Sequence, residues 1–357
     1  MRANFDFSAH PDGEFARRVA IIPKWVSAGN DTTEDVLSNE DSPQASSWAI
    51  GDIAADNISG AAEILLRGAE IYALLNAEQR KRQCASAEHA IRRVVRASVA
   101  LLEAQPGMAP LARLASAAVE SAAQCSRASD VLDRAQTAAQ TFAQHAVVAN
   151  RAAAEHASVL IREGSRVLTH SRSSTVLQAF RFALAAGRHI TAIVTESRPM
   201  MEGRTLASEL VRDGASVTLI ADADAAGGVQ RADLVLMGAD AIGASTVTNK
   251  LGTSLIALAA RELGKPVYLV CDTSKFIGST EGLPAARTRR DRSELWPDAP
   301  DRIDVLTAYF EETPLSFFTS VICEQGSATP AEVSRMVERF RLSERLLKAI
   351  ARSAASR

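Results

Sequence analysis

Residues 165–195 read SRVLTHSRSSTVLQAFRFALAAGRHITAIVT, and this stretch decides the fold. A short apolar run at 165–169 is followed by an amphipathic segment at 175–186 and by a second apolar run at 191–195. Continuous runs of Val, Ile and Leu, without alternation with polar residues, are typical of strands that are buried on both faces of a parallel sheet. The stretch therefore predicts a strand–helix–strand unit with a crossover helix.

The same alternation continues toward the C-terminus. Further helices and strands are predicted over 203–213, 216–220, 232–237, 253–263, 266–271 and 319–323. The last strand precedes Thr329-Pro330-Ala331-Glu332, which combines an N-cap, a first-turn proline and a capping-box glutamate. Strand–helix alternation at this spacing predicts a doubly wound, Rossmann-like sheet domain over residues 165–357.

The residues upstream of this half follow a different pattern. Between 51 and 164, apolar residues recur three and four positions apart in an alanine-rich background, as in Ile64, Leu65 and Ala69. This pattern predicts an N-terminal helical domain over 51–164. Residues 1–50 are rich in Asp, Asn, Ser, Gly and Pro without a sustained period, which predicts an irregular segment. The predicted architecture is therefore α/β, with a helical domain followed by a Rossmann-like doubly wound parallel-sheet domain.

The composition is that of a globular protein, with 47% hydrophobic residues, 23% charged residues and a net charge of −2. This balance gives no field that would attract nucleic acid or an anionic membrane, and the basic run 287–292 is interpreted as a solvated loop. The cysteines form no C-x-x-C pair, and no apolar run is long enough to span a bilayer. The N-terminus lacks an apolar signal region, so we expect a cytoplasmic protein.

Polar side chains follow the first predicted strand, where such a sheet binds its ligands. Ser171, Arg172, Ser173, Ser174 and Thr175 lead from that strand into a helix. The free N–H groups and the positive dipole end of a helix start suit a phosphate. The alternative is that Ser173 or Ser174 only caps the helix.

Charged and amide side chains follow the other predicted strands. They are Arg198, Asp240, Asn249, Lys250 and Lys275, with Asn249 and Lys250 predicted at the start of the next helix. The glycines form neither a G-x-G-x-x-G fingerprint nor a Walker loop, so no NAD or ATP is expected, and neither another cofactor nor a metal ion is indicated. The pattern predicts a small-molecule site around Asp240, Asn249 and Lys250.

The chain from Val167 to Phe276 also resembles a known superfamily. It joins methylthioribose-1-phosphate isomerase, archaeal ribose-1,5-bisphosphate isomerase and the alpha, beta and delta regulatory subunits of initiation factor 2B. The matching motifs are VLTHSRSSTV, TESRPMMEGRTLASEL, LVLMGADAIGAS and TNKLGTSLIALAA, with weaker matches in IAADNISGAAEI and QPGMAPLARL. The resemblance implies a helical domain on a Rossmann-like domain, a homodimer or higher homo-oligomer, and a phosphorylated small-molecule ligand.

In the isomerase branches, the resemblance implies conversion of an aldose 1-phosphate into a ketose 1-phosphate, which requires two proton-handling groups. Asp240 stands at the position of the family's aspartate, and Asn249, Lys250 and Lys275 match its substrate contacts. Ser171 stands where the family has a cysteine. A thiol has a pKa near ~8.5, whereas an unassisted serine hydroxyl is far less acidic. The obvious partner of Asp240 is therefore missing.

Two further positions depart from the isomerases. Ser59-Gly60-Ala61 replaces Arg-Gly-Ala, and Gln105-Pro106 replaces Arg-Pro. The family's arginines hold phosphate, and neither Ser nor Gln replaces a bidentate Arg. The alternative is a shifted register that uses Arg67-Gly68-Ala69.

Two functions remain open on the sequence alone. The first is an aldose–ketose isomerase of the ribose 1-phosphate type, with Asp240 as acid/base and Ser171 as its partner. The second is a non-catalytic regulatory or metabolite-sensing subunit that resembles those of initiation factor 2B. In both, a phosphorylated sugar or a nucleotide binds the same pocket, which includes Ser59, Gly60, Ala61 and Gln105.

Overall fold

Alanine-rich helices form the first part of the described chain. The computed structural model describes residues 45–56, 59–81, 86–278 and 291–355. The helices of this part are α1 (Ala45–Ala55), α2 (Ala61–Lys81), α3 (Ala87–Ala104), α4 (Ala109–Ala123) and α5 (Ala128–Ser158). Their apolar faces share one core in which Ile71, Tyr72 and Leu101 are fully buried.

The predicted irregular segment 1–50 overlaps this helical part at its end. Residues 1–44 of the segment lie outside the described residues. Helix α1 begins at Ala45, so the helical part starts several residues earlier than the composition indicates. Ile53 of α1 is buried in the same core as Leu101, and this tertiary packing stabilises a helix whose own sequence is mixed.

The second part alternates strands with helices. Its strands are β1 (Arg166–His170), β2 (Thr191–Thr195), β3 (Ser216–Ile220), β4 (Leu234–Met237), β5 (Ala241–Ile242), β6 (Thr246–Lys250), β7 (Val267–Val270), β8 (Phe310–Pro314), β9 (Ser320–Cys323) and β10 (Gly326–Ala328). Its helices are α6 (Ser174–Ala185), α7 (Glu202–Arg212), α8 (Ala225–Arg231), α9 (Thr253–Glu262), α10 (Pro330–Val337) and α11 (Glu344–Ala355).

The main sheet has the strand order β10-β9-β7-β4-β1-β2-β3. All neighbouring strands in it are parallel except β10, which is antiparallel to β9. Its strands are apolar because helices cover both faces, and Phe180 of α6 is fully buried against it. The predicted doubly wound, Rossmann-like sheet is confirmed. From β1 the chain adds β2 and β3 on one side of the sheet and then crosses to β4 on the other side. The strand order therefore changes direction at β1, and such a switch point opens a crevice at the carboxyl ends of the strands.

A second sheet of three antiparallel strands, β5-β6-β8, lies outside the sequence prediction. The prediction that Asn249 and Lys250 begin a helix is wrong. They lie on β6, where they pair with Glu311 and Phe310 of β8. The polar sequence of β6 resembles a loop because its partner strand comes about sixty residues later, and local pattern carries no information about that pairing.

The C-terminal helix α11 packs on the helical part, although it is predicted within the Rossmann-like domain. Leu346 and Ile350 of α11 lie in the same core as Leu101. The backbone N–H of Ser343 donates to Ser116 Oγ at 2.7 Å. Residues 43–357 form one compact unit, and the predicted boundary near residue 164 stays a prediction. Within the described parts of the chain, no helix has the length and apolarity needed to cross a membrane.

Candidate functional site

A cleft lies at the carboxyl ends of β1 and β4, between the main sheet, the second sheet and the helical part. Its empty volume is about 790 Å³, part of it open to solvent. All but two of the predicted site residues line it: Ser59, Gly60, Ala61, Ser171, Arg172, Ser173, Ser174, Thr175, Asp240, Asn249, Lys250 and Lys275. Sequence reasoning missed further lining residues, namely Met108, His170, Met200, Glu202, Gly238, Ala239, Tyr309 and Phe310.

The two predicted residues that do not line the cleft are Gln105 and Arg198. Gln105 is buried, and its Nε2 donates to the carbonyl oxygens of Ile53 (2.7 Å) and Asp56 (2.9 Å) at the end of α1. The exposed Arg198 donates its backbone N–H to Asp222 Oδ2 at 2.7 Å, and its guanidinium contacts Met201 Sδ. Gln105 therefore fixes the end of α1 and does not itself line the cleft.

This role of Gln105 gives a prediction. Gln105→Met keeps the volume of the side chain but removes both hydrogen bonds to the carbonyl oxygens of Ile53 and Asp56. We expect a loss of about 1–3 kcal/mol in the free energy of unfolding, measured by urea denaturation. The control is Gln140→Met on α5, where the glutamine is exposed and the stability should change by less than about 0.5 kcal/mol. Equal stabilities of the two variants would contradict the structural role of Gln105.

The sequence left open whether Ser59-Gly60-Ala61 or Arg67-Gly68-Ala69 matches the Arg-Gly-Ala of the isomerases, and the fold places these two segments in different surroundings. Arg67-Gly68-Ala69 falls inside α2, where Arg67 forms an ion pair with Asp56 and does not line the cleft. Ser59-Gly60-Ala61 lies at the cleft. The shifted register therefore brings no arginine to the ligand space.

The basic run 287–292, interpreted as a solvated loop, is described only in part. Residues 287–290 lie outside the described residues. Asp291 and Arg292 are described, and Asp291 accepts from the N–H of Ser293 at 2.8 Å as the N-cap of a short 3₁₀ turn.

Asp240 follows β4 and is held by its backbone. Its N–H donates to the carbonyl of Thr248 at 2.9 Å, and its carbonyl accepts from the N–H of Ala109 at 3.2 Å. Within the described residues, its carboxylate has no hydrogen bond or ion pair shorter than 4 Å. Burial raises the pKa of Asp240 above the usual carboxyl range; Lys275 and Lys250 oppose this rise, and Glu202 adds to it.

Lys275 ends a 3₁₀ turn, Thr273–Lys275, that follows β7. Its side chain is 5% exposed and lines the cleft, and no described residue accepts a hydrogen bond from its ammonium. Arg113 of α4 donates to the carbonyl of Thr273 and lies 4.2 Å over the ring of Phe340, which holds the turn in place. Burial lowers the pKa of Arg113 to about 10, so it stays a cation near neutral pH.

The start of α6 forms another wall of the cleft. Ser173 is the N-cap, and its Oγ accepts from the N–H of Val176. Ser173 therefore caps α6 and also lines the cleft, and its predicted role in ligand binding stays a prediction. Gly238 permits this arrangement, because a Cβ there would lie 2.5 Å from Ser173 Oγ. A side chain at 238 would push the end of β4 away from the helix start.

Ser171 connects to two charged residues across the cleft. Its Oγ donates to Glu202 Oε1 at 2.7 Å, and Glu202 Oε1 lies 2.9 Å from Lys250 Nζ. Ser171 has a φ of 63°, in the left-handed region that non-glycine residues rarely occupy. Its backbone N–H donates to Ser197 Oγ at 2.8 Å. In the sequence, Glu202 reads as an ordinary acidic residue in a first helical turn, so only the fold reveals this contact.

Two other polar lining residues are already engaged. The ring of His170 lies between Thr195 Oγ1 (2.6 Å) and the carbonyl of Leu251 (2.9 Å), and burial lowers its pKa. Arg172 forms a bidentate ion pair with Glu209, with both contacts at 2.8 Å. These two side chains therefore shape the cleft wall. The cations that lower the pKa of Asp240 are instead Lys275 and Lys250.

Residues 57–330, well over half of the chain, match the Initiation factor 2 subunit family. The chain belongs to this family. Individual proteins are similar to the chain as well. A methylthioribose-1-phosphate isomerase of Pelotomaculum thermopropionicum is 34% identical over 212 residues, which cover 54% of this chain and 58% of the relative. The chain thus spans little more than half the length of that relative.

A ribose 1,5-bisphosphate isomerase of Haloterrigena turkmenica is 32% identical to this chain over 305 residues, which cover 79% of this chain and 89% of the relative. Among solved structures, a translation initiation factor eIF-2B of Pyrococcus horikoshii OT3 superposes with a TM-score of 0.70 at 27% identity, covering 81% of this chain and 98% of that one. The resemblance inferred from the motifs is confirmed, and so is the helical-plus-Rossmann-like fold.

Proposed function

We propose that the cleft binds a phosphorylated sugar and interconverts an aldose 1-phosphate and a ketose 1-phosphate, with Asp240 as acid/base. The observation that carries this proposal is the pair Asp240 and Lys275. A carboxylate and an ammonium line one cleft, and neither has a hydrogen-bond partner among the described residues. A phosphorylated sugar in the cleft would supply hydrogen-bond partners to both side chains.

The phosphate fits between Lys275 and the start of α6. No acceptor within the described residues takes the backbone N–H groups of Ser174 and Thr175, as expected for the first turn of a helix. These N–H groups and the helix dipole favour an anion, and the Lys275 ammonium adds a full positive charge. This site takes the place of the arginines that are absent at Ser59 and Gln105.

The raised pKa of Asp240 supports its role in proton transfer. Isomerisation breaks the C1–ring-oxygen bond and the C2–H bond, and it forms a C1–H bond and a carbonyl at C2. A carboxylate beside C1 and C2 takes the proton from C2 and returns it to C1, so it is regenerated. A carboxyl whose pKa lies above its usual range accepts and returns a proton more readily near neutral pH than an ordinary one.

A non-catalytic subunit that senses the same ligand is the second candidate. Ser171 stands at the position of the family's cysteine, and this favours the non-catalytic subunit. An unaided serine hydroxyl is too weak an acid to replace a thiol in proton transfer. In either case we propose that the protein is cytoplasmic and assembles as a homodimer or higher homo-oligomer.

Thermal-shift measurements against pentose phosphates, methylthioribose 1-phosphate and nucleotides test for the ligand, because a ligand that binds the native state raises the Tm whether or not it is converted. Phosphorus NMR on the ligands that bind then tests for turnover. Conversion supports the isomerase. Binding without conversion supports the sensor, and no stabilisation by any sugar phosphate would contradict both.

A further inference from the structure

We propose that Glu202 and Ser171 form the second proton-transfer device of this cleft, in which Ser171 exchanges protons with the sugar's oxygen atoms and Glu202 accepts and returns them. This inference rests on the proposed isomerase function and deepens it. Glu202 supplies the base that a serine hydroxyl needs and that a cysteine thiol does not.

The geometry of the contact carries the inference. Ser171 Oγ donates to Glu202 Oε1 at 2.7 Å, so the hydroxyl proton already points at the carboxylate. A short O–H···O bond to a carboxylate is a charge-assisted contact, and it places a base directly on the hydroxyl proton. Both side chains line the cleft together with Asp240. A carboxylate one hydrogen bond away gives the serine the activating base that serine needs in proton transfer.

The position of Glu202 is built into the fold. Gly203 follows it, and a Cβ at 203 would overlap the carbonyl oxygen of Thr195, so α7 begins in direct contact with the end of β2. Ser171, which follows β1, adopts its left-handed φ of 63°. Strained backbone of this kind persists where the surrounding structure holds it and clusters at active sites. The two side chains therefore meet because two strand ends are fixed side by side.

A purely structural account of Glu202 is that it neutralises the buried Lys250, whose Nζ lies 2.9 Å from Glu202 Oε1 and 3.1 Å from Glu202 Oε2. That contact holds the carboxylate in place. It does not account for Ser171, whose hydroxyl has no part in neutralising Lys250. The two accounts predict different kinetics, because loss of a counter-ion weakens binding and folding, whereas loss of a proton acceptor lowers kcat.

The proton balance closes with two devices. Asp240 takes the proton from C2 and delivers it to C1. Ser171 takes the O2 proton and passes its own proton to Glu202 as Asp240 takes the proton from C2. The proton then returns from Glu202 through Ser171 to the former ring oxygen as the bond from that oxygen to C1 breaks, which leaves an enolate. The C2 carbonyl forms when Asp240 protonates C1. Glu202 therefore begins and ends the cycle as a carboxylate.

Glu202→Gln tests the relay, because Gln keeps the hydrogen-bond acceptor for Ser171 and removes the basicity. On the wild-type substrate we expect kcat to fall about 100-fold, with KM changed only a few-fold. Ser171→Ala keeps the Glu202–Lys250 pair and should lower kcat to a similar extent. Glu196→Gln, at an ion pair with Arg204 outside the cleft, is the matched control and should leave kcat within about twofold of wild type.

Rescue by a thiol separates a relay from a structural contact. A thiol near pKa ~8.5 holds and releases a proton without a neighbouring base, so Ser171→Cys in the Glu202→Gln background should restore kcat about tenfold or more. No rescue, or a Glu202→Gln kcat within about threefold of wild type, would overturn the relay while leaving the isomerase intact. Absence of wild-type turnover would instead overturn the proposed function, and the relay with it.

Discussion

Asp240→Asn is expected to lower kcat by about 10²- to 10⁴-fold, which is the usual contribution of a general acid/base. The amide is nearly isosteric but does not accept a proton at neutral pH, so ligand binding should be kept while turnover is lost. The measurement is kcat and KM on the aldose 1-phosphate that stabilises the wild-type protein. Asp213→Asn, at an ion pair with Arg181 outside the cleft, is the control.

The same substitution should raise stability at neutral pH. Because the folded-state pKa of Asp240 lies above the unfolded value, the folded state keeps a proton that the unfolded state releases. Stability therefore falls as pH rises from the ordinary carboxyl pKa through the raised one, and Asn removes this cost. We expect a Tm gain on the order of 2 °C near neutral pH, shrinking below about pH 4. A Tm loss near neutral pH with kcat unchanged would remove Asp240 from the proposed role.

Lys275→Met is expected to weaken binding of the phosphorylated ligand about 10- to 100-fold. A hydrogen bond to a charged group contributes about 1.5–3 kcal/mol, and about 1.4 kcal/mol corresponds to tenfold in Kd. Met keeps the length and apolar body of a side chain that is 5% exposed, so folding should survive. Calorimetric titration with the phosphorylated ligand and with its dephosphorylated sugar measures the effect, which should appear only for the former.

The control for Lys275 is Lys348→Met, at an exposed i,i+4 pair with Glu344 on α11. A second signature should accompany the loss of binding. Lys275 lowers the pKa of Asp240, so its removal should move the acidic limb of the kcat profile to higher pH. Equal affinities of Lys275→Met and wild type for the phosphorylated ligand would show that the phosphate lies elsewhere.

Much of the Rossmann-like half is predictable because strands buried in a parallel sheet are continuous apolar runs in the sequence. The predicted strands at 191–195 and 216–220 coincide with β2 and β3, and the capping box at Thr329 is formed as the sequence indicates. Once strand ends are placed, Ser171, Asp240 and Lys275 can be assigned to one edge, since the carboxyl ends of parallel strands meet there. The cleft brings these residues together.

What the sequence does not reveal depends on pairing between distant segments. Strand β6 is polar and forms because β8 pairs with it, so a local pattern assigns Asn249 and Lys250 to a helix start. The contact between Ser171 and Glu202 spans two strand ends, and no local pattern distinguishes Glu202 from a solvated charge in a first turn. The resemblance predicts Gln105 at the ligand, whereas its side chain supports α1.

The most direct test of the account is phosphorus NMR of the wild-type protein with methylthioribose 1-phosphate and with ribose 1,5-bisphosphate, beside Asp240→Asn. We expect wild type to convert at least one of the two from the aldose to the ketose phosphate, and we expect conversion by Asp240→Asn to be about 100-fold slower or more. Equal conversion by both proteins, or none by a wild-type protein that binds the ligand, would contradict it.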